Sequence, residues 1–195
     1  MEFLMNKVQT EFGFSDYQIK LIRYSITALF YDISKMIIFA VYFYCTGKLL
    51  HLFFALCPLI LLRTKTGGIH FKKYWTCFFF TFIYLQAAIN ILPAFISVHP
   101  LAIYIILLIC AVADYLIGPN SLTRKTPANE NFVKKAKLET FQLILIIAIL
   151  FFIFSADEYL IVSFWTVVLH TIQLTITKIL KEVNVHEKFT QKASL

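Results

Sequence analysis

His70 and Cys77 stand seven positions apart in the polar stretch RTKTGGIHFKKYWTC, residues 63–77, and together they are the residue types of an activated thiol nucleophile. Imidazole takes the thiol proton, the thiolate attacks a carbonyl, and the imidazolium returns its proton to the leaving amine. On one continuous helix two residues at this spacing lie ~10 Å apart along the axis, beyond the ~3 Å reach of proton transfer. The backbone must therefore break between them, or the two groups must meet across the chains of a homodimer. Gly67 and Gly68 offer an unusual turn just before His70, with amides able to meet a developing oxyanion; an ordinary hinge between helices is the alternative. Lys72, Lys73, Tyr74 and Trp75 precede the cysteine. Cations beside a thiol favour thiolate chemistry and paired aromatics suit a membrane boundary, while an interfacial cysteine without a role is the plain reading.

No other constellation competes. Cys45, Cys57 and Cys110 lie in apolar runs, and the four cysteines form no C-x-x-C pair, so neither a disulfide framework nor a metal site is expected, and no cofactor is called for. His51 and His99 fall at the opposite membrane boundary and His186 in the tail. His170 has hydrogen-bonding partners of the right kind nearby, a threonine or Gln173 on its own helical face. Asp114 and Asn120 are available to orient His70, but a solvated or paired boundary charge explains Asp114 equally well.

The elements that must position these residues are membrane helices. Hydrophobic residues make up 59% of the chain and charged ones only 15%, well outside the soluble average of about 45–50% and 25%. The mean hydropathy of +0.76 agrees. Six apolar segments are expected, over 28–45, 49–62, 76–96, 101–117, 139–155 and 159–177. The second carries Pro58 and rises only ~21 Å as a helix, against a hydrocarbon core of ~30 Å, so a re-entrant segment is an alternative to a span. Within the first, Asp32 and Lys35 share a helix face, where an ion pair lowers the cost of burying either charge. The expected fold class is an all-α polytopic membrane protein of about six transmembrane or re-entrant helices, forming one domain over 1–195. Residues 1–27 are an interfacial segment without the features of a cleaved signal peptide, 63–75 and 118–138 are loops, and 178–195 is a tail.

Charge orients the chain. Arg63, Lys65, Lys72 and Lys73, then Arg124, Lys125, Lys134, Lys135 and Lys137, then Lys178, Lys181, Lys188 and Lys192 fall in alternate connections. The positive-inside rule places these and both termini in the cytoplasm. The formal net charge of +7 is thus explained by topology and anionic membrane lipid, and no basic stripe with interleaved stacking aromatics points to nucleic acid. The long basic connection has a second reading, in which Arg124, Lys134, Lys135 and Lys137 dock an acidic substrate tail.

LLRTKTGGIHFKKYWTC resembles the signature of the AgrB family of accessory gene regulator membrane peptidases. It has arginine after an apolar run, a glycine pair, histidine, and cysteine seven residues later. The loop with Pro119, RKTP and KKAK, and the segment HTIQLTITKILKE, extend the likeness over most of the chain. The lysine pair after Phe71 departs from the family, in which small or hydroxyl residues are common there. The resemblance implies that His70 and Cys77 are the catalytic pair, with Arg63, Gly67 and Gly68 supporting the loop. It also implies an AgrD-type precursor peptide as substrate and the cell membrane of a Gram-positive bacterium as location. A small peptide exporter and a noncatalytic membrane assembly protein are the competing classes; the first predicts activity that survives loss of Cys77, the second no covalent intermediate.

Overall fold

The computed structural model describes residues 15–68, 73–119, 130–154 and 157–193, all of whose regular elements are helical. Ser15 caps the first helix, α1 (Asp16–Cys45), through a capping box with Gln18. Further helices are α2 (Leu49–Thr66), α3 (Tyr74–Gln86), α4 (Leu92–Phe95), α5 (Pro100–Ile117), α6 (Glu130–Phe154) and α7 (Glu158–Ala193). A π turn, Ala87–Ile91, joins α3 to α4, so that Tyr74–Phe95 runs as one apolar rod. The chain separates into two compact units, 1–47 and 48–195.

In the first unit the Asp32–Lys35 pair forms as expected, with Nζ 2.8 Å from Oδ1. In the second, five helices are long and apolar enough to cross a membrane: α2, the α3–α4 rod, α5, α6 and α7. The remaining expected segment, 28–45, is the C-terminal part of α1. Of the five spans, α7 is 67% buried inside the protein and the others only 22–33%, so α7 is the central post and most of the others turn apolar surface outward. The core between α2, α5, α6 and α7 contains Leu62, Leu107, Ala111, Ile144, Phe151, Phe164 and Val167.

Three boundaries differ from expectation. The segment expected over 49–62 continues as helix to Thr66, an 18-residue element rising about 27 Å, which reduces the shortfall that suggested a re-entrant path to a few ångströms. Arg63 and Lys65 therefore stand on the last helical turn and not in a loop, where cations complement the helix dipole. Likewise α6 begins at Glu130, which places Lys134, Lys135 and Lys137 on a helix, and α7 continues through most of the expected tail. Charged residues are adequate helix formers, and a helix leaving hydrocarbon has no reason to unwind.

Pro58 sits inside α2 without ending it. Proline has no N–H to give the carbonyl four residues earlier, that of Phe54. Ser163 of α7 donates its hydroxyl to that carbonyl at 2.8 Å. The Phe54 ring also stacks on Tyr159, one turn before Ser163. The cost of the proline is thus met by a neighbouring helix.

Candidate active site

The polar stretch is shorter than its residue types suggest, because α2 reaches Thr66 and α3 starts at Tyr74. Gly67 ends α2 with φ 82° while its N–H bonds the Arg63 carbonyl at 2.9 Å. Gly68 follows with φ 154°, again a conformation that L side chains rarely adopt. Both glycines are required by backbone geometry. A Cβ on Gly68 would lie 3.2 Å from Gln173 Nε2 and 3.5 Å from Arg63 Nε, so close approach adds a second reason. His70 lies outside the described residues, as do Lys72, Asn120 and Arg124.

Lys73 is extended, with φ −95° and ψ 135°, and caps α3. The chain is therefore not helical at Lys73, which lies between His70 and Cys77 in sequence. Cys77 is half-buried and its N–H is the first to close a helical bond in α3, to the Lys73 carbonyl at 3.2 Å. The three preceding amides form the positive end of the helix dipole, close to the thiol.

α3 divides its surface by chemistry. Tyr74, Phe78 and Phe82 stack along one strip, with centroids 6.2 and 6.4 Å apart, and Trp75 with Phe79 along the next. Trp75 and Phe79 are exposed, as lipid-facing aromatics are. Cys77, Thr81 and Tyr84 occupy the remaining face at spacings of four and seven. Thr81 and Tyr84, with Phe80, meet α2 and α7 in a crevice lined also by Leu59, Arg63 and Gln173, with no room for a water molecule. Tyr84 closes its far end by donating to the Thr166 carbonyl at 2.7 Å.

Behind the crevice runs a polar stripe. Ser163, Thr166, His170, Gln173 and Thr177 recur at helical spacing along α7, and all are buried. Thr66 donates its hydroxyl to the Leu62 carbonyl at 2.8 Å, so the 2.8 Å contact between Thr66 Oγ1 and His170 Nε2 requires the histidine to be the donor. His170 thus bonds a threonine, as its sequence context suggested, but one on another helix. Among the described residues its Nδ1 has no partner, and neither has either side-chain atom of Gln173. Asp114 is fully buried beside Thr171, which overturns its reading as a solvated boundary charge. The stripe was legible as polar residues at helical spacing inside segment six, but nothing in the sequence shows which helices it faces.

The basic residues divide as well. Lys134 and Lys135 are exposed. Lys137 lays its stem against Gly118 and its ammonium 5.6 Å above the Tyr115 ring. Lys65 reaches Glu139 at 2.6 Å and ties the end of α2 to α6. At the other end of this unit Lys48, Asn90, His51, Glu158 and Trp165 help line a cavity of about 440 Å³. There Lys48 donates to Asn90 at 2.6 Å, and Asn90 to Gln86.

No curated protein and no solved structure matches this chain. The family described as Accessory gene regulator B, AgrB, matches residues 1–174, a range that holds both helix boundaries around the glycine turn, Cys77 on α3 and the polar stripe of α7 as far as Gln173. By that match, over most of its length, this multi-pass membrane protein belongs to the AgrB family.

Proposed function

We propose that this protein is a membrane cysteine endopeptidase that removes the C-terminal tail of an AgrD-type precursor peptide and closes the remaining part into a cyclic signal for quorum sensing. The observation that carries the reading is the placement of Cys77. Of the four cysteines it alone stands at the start of a helix, directly after a backbone break at the end of the polar stretch. Cys45 and Cys57 lie on outward surfaces of α1 and α2, and Cys110 is core.

The Cys77 thiolate attacks the carbonyl at the junction of the future ring and the tail. The C–N bond breaks, His70 gives its proton to the departing amine, and the peptide is left as a thioester on Sγ. A thiol within the bound peptide then attacks that thioester, releases Cys77, and closes a thiolactone; a peptide hydroxyl would give a lactone. One thioester replaces another, so little net energy is required. Water would divert the acyl-enzyme to a linear product, and a site at the membrane boundary limits its access. Arg63, Gly67 and Gly68 hold the loop. Lys134 and Lys135, with Arg124 and Lys137, attract the acidic tail. The basic end of the helices faces the cytoplasm, where newly made precursor is found.

The test is a covalent one. Full-length protein in liposomes, incubated with precursor, is expected to form a hydroxylamine-sensitive adduct on Cys77, and Cys77→Ala to form none while inserting normally. Replacing Cys45, Cys57 and Cys110 together should leave the adduct intact. Release of the tail by Cys77→Ala would overturn the peptidase reading in favour of an exporter or assembly protein.

A further inference from the structure

We propose that the cavity at the end of the second unit away from the glycine turn is a phospholipid site, in which Lys48 holds the lipid phosphate, Glu158 accepts from a headgroup donor, and an acyl chain lies on the apolar wall. The inference goes beyond the peptidase reading and does not depend on it. At about 440 Å³ the cavity has the size of a small-molecule site, roughly 300–1,000 Å³. Its wall is apolar, with Ile89, Ile103, Ile161, Val162 and Phe164, and its polar groups are few: Lys48, His51, Asn90, Ser97 and Glu158. Ala94, Ile96 and Ser97 line it and are also exposed, so it opens on the surface that carries Ile91 and Phe95, the latter 83% exposed. Large apolar side chains exposed on a membrane-spanning rod face hydrocarbon. An amphiphile can therefore enter sideways from the bilayer and keep its chain out of water throughout.

The polar rim identifies the headgroup. The connections 46–48, 96–99 and 155–157 contain a single lysine or arginine, Lys48, although the alternate connections are rich in both. Its ammonium donates to Asn90 Oδ1 at 2.6 Å. Asn90 donates in turn to Gln86 and belongs to the π turn Ala87–Ile91, a kind of turn frequent at functional sites. The partner of Lys48 is thus a neutral amide, which fixes the ammonium in place and leaves its charge whole; of its three N–H groups this bond uses one. A glutamine would tie α2 to the π turn without placing a charge at an end of the molecule where the sequence otherwise avoids cations, so the tie alone does not account for a lysine. Glu158 stands on the same rim, 3.9 Å from His51 Nε2, and the His51 ring packs on that of Tyr159 at 4.8 Å. His51 in turn follows Lys48 by three residues, about one helical turn. A fixed cation with a carboxylate nearby suits a headgroup that presents a phosphate and, a few bonds on, a hydroxyl or ammonium donor. Phosphatidylglycerol and phosphatidylethanolamine have both, whereas phosphatidylcholine has the phosphate and no N–H or O–H.

The experiment uses the full chain carrying Trp75→Phe, which leaves Trp165, on the cavity lining, as the one tryptophan. The protein is held in phosphatidylcholine nanodiscs and titrated with phosphatidylglycerol, phosphatidylethanolamine or phosphatidylcholine brominated on the acyl chain. Quenching of Trp165 and the melting temperature are read together. We expect half-quenching by the first two lipids at a mole fraction about five-fold or more below that of the third, and a melting temperature that rises with phosphatidylglycerol, as binding to the folded state requires. Lys48→Met should abolish both the preference and the rise, and Lys48→Arg should keep the preference within about two-fold, since a guanidinium also binds phosphate. Glu158→Met should reduce the preference for both donor-bearing lipids. Ala94→Phe, at the exposed rim, narrows the mouth and should weaken quenching by all three lipids, which tests the site even if Lys48→Met inserts poorly. Equal quenching by the three lipids would mean only the ordinary lipid around the helices and would overturn the proposal. So would a phosphatidylglycerol preference that survives Lys48→Met, or quenching unchanged by Ala94→Phe. Relief of the quenching by millimolar glycerol phosphate would assign the site to a soluble phosphate and overturn the lipid reading. A melting temperature that Lys48→Met lowers equally with and without phosphatidylglycerol would reduce Lys48 to its tie with Asn90, and would overturn it as well.

Discussion

Ser163 and Gln173 lie on the same buried face of α7, ten residues apart, and their surroundings treat them in opposite ways. Ser163 is matched: its hydroxyl supplies the bond that Pro58 withholds from the Phe54 carbonyl, at 2.8 Å. Gln173 is unmatched among the described residues, with both amide atoms orphaned beside a glycine turn. The region around Ser163 is not free of orphans, since the Trp165 indole N–H also lacks a partner there. It nevertheless contains the repair of an evident backbone defect. The difference teaches how to sort polar groups inside a membrane protein. A buried polar side chain whose partner lies on another helix ties the two helices together and stabilises the fold, as Ser163 does.

The comparison is sharpened by variants that change rate in one region and stability in the other. The largest effect is expected at the chemistry: His70→Ala should lower precursor cleavage by about 10²–10⁴-fold, with a residual rate rising with pH as thiolate forms without a base. Membrane insertion should be unaffected. Tail release measured across pH in proteoliposomes checks both statements, and a rate unchanged from the parent would remove His70 from the mechanism.

Ser163→Ala should do the reverse, costing about 1–2 kcal/mol of stability because it orphans the Phe54 carbonyl, while kcat stays near that of the parent. Reverting the defect as well, with Pro58→Ala in the same chain, should recover most of the loss, since the backbone N–H restored at that position then serves the carbonyl. Denaturation of the single and double variants in detergent measures this. A double variant as unstable as Ser163→Ala alone would break the proposed repair.

Smaller again is the effect of the exposed lysines. Neutralising Lys134 and Lys135 together is expected to raise KM a few-fold at low salt and to flatten its dependence on ionic strength, with kcat unchanged. Steady-state assays at two salt concentrations decide whether these lysines attract the tail or only set topology. The smallest effect belongs to Lys65→Met, which breaks a partly exposed ion pair with Glu139 and should leave stability close to that of the parent. A larger loss would mean that this link between α2 and α6 also holds the glycine turn.

By itself the sequence determined the membrane class, the helical composition and the candidate nucleophile. Hydrocarbon admits few backbone solutions, so long apolar runs such as 101–117 declare themselves, and the glycine–histidine–cysteine spacing is local in the chain. The Asp32–Lys35 pair was legible for the same reason, being three residues apart on one helix. Helix ends were less legible, because Arg63 to Thr66 and Glu130 to Lys137 are polar yet helix-compatible, and polarity marks the edge of the hydrocarbon and not the end of the helix. Only the tertiary structure decided which distant residues meet: Ser163 with the Phe54 carbonyl, Thr66 with His170, Gln173 with Gly68, and that Asp114 is buried. Each of these depends on the rotation of one helix about its axis relative to another. That rotation is set by the packing of many side chains at once, whereas periodicity within a single segment shows only that a face exists and not what lies opposite it.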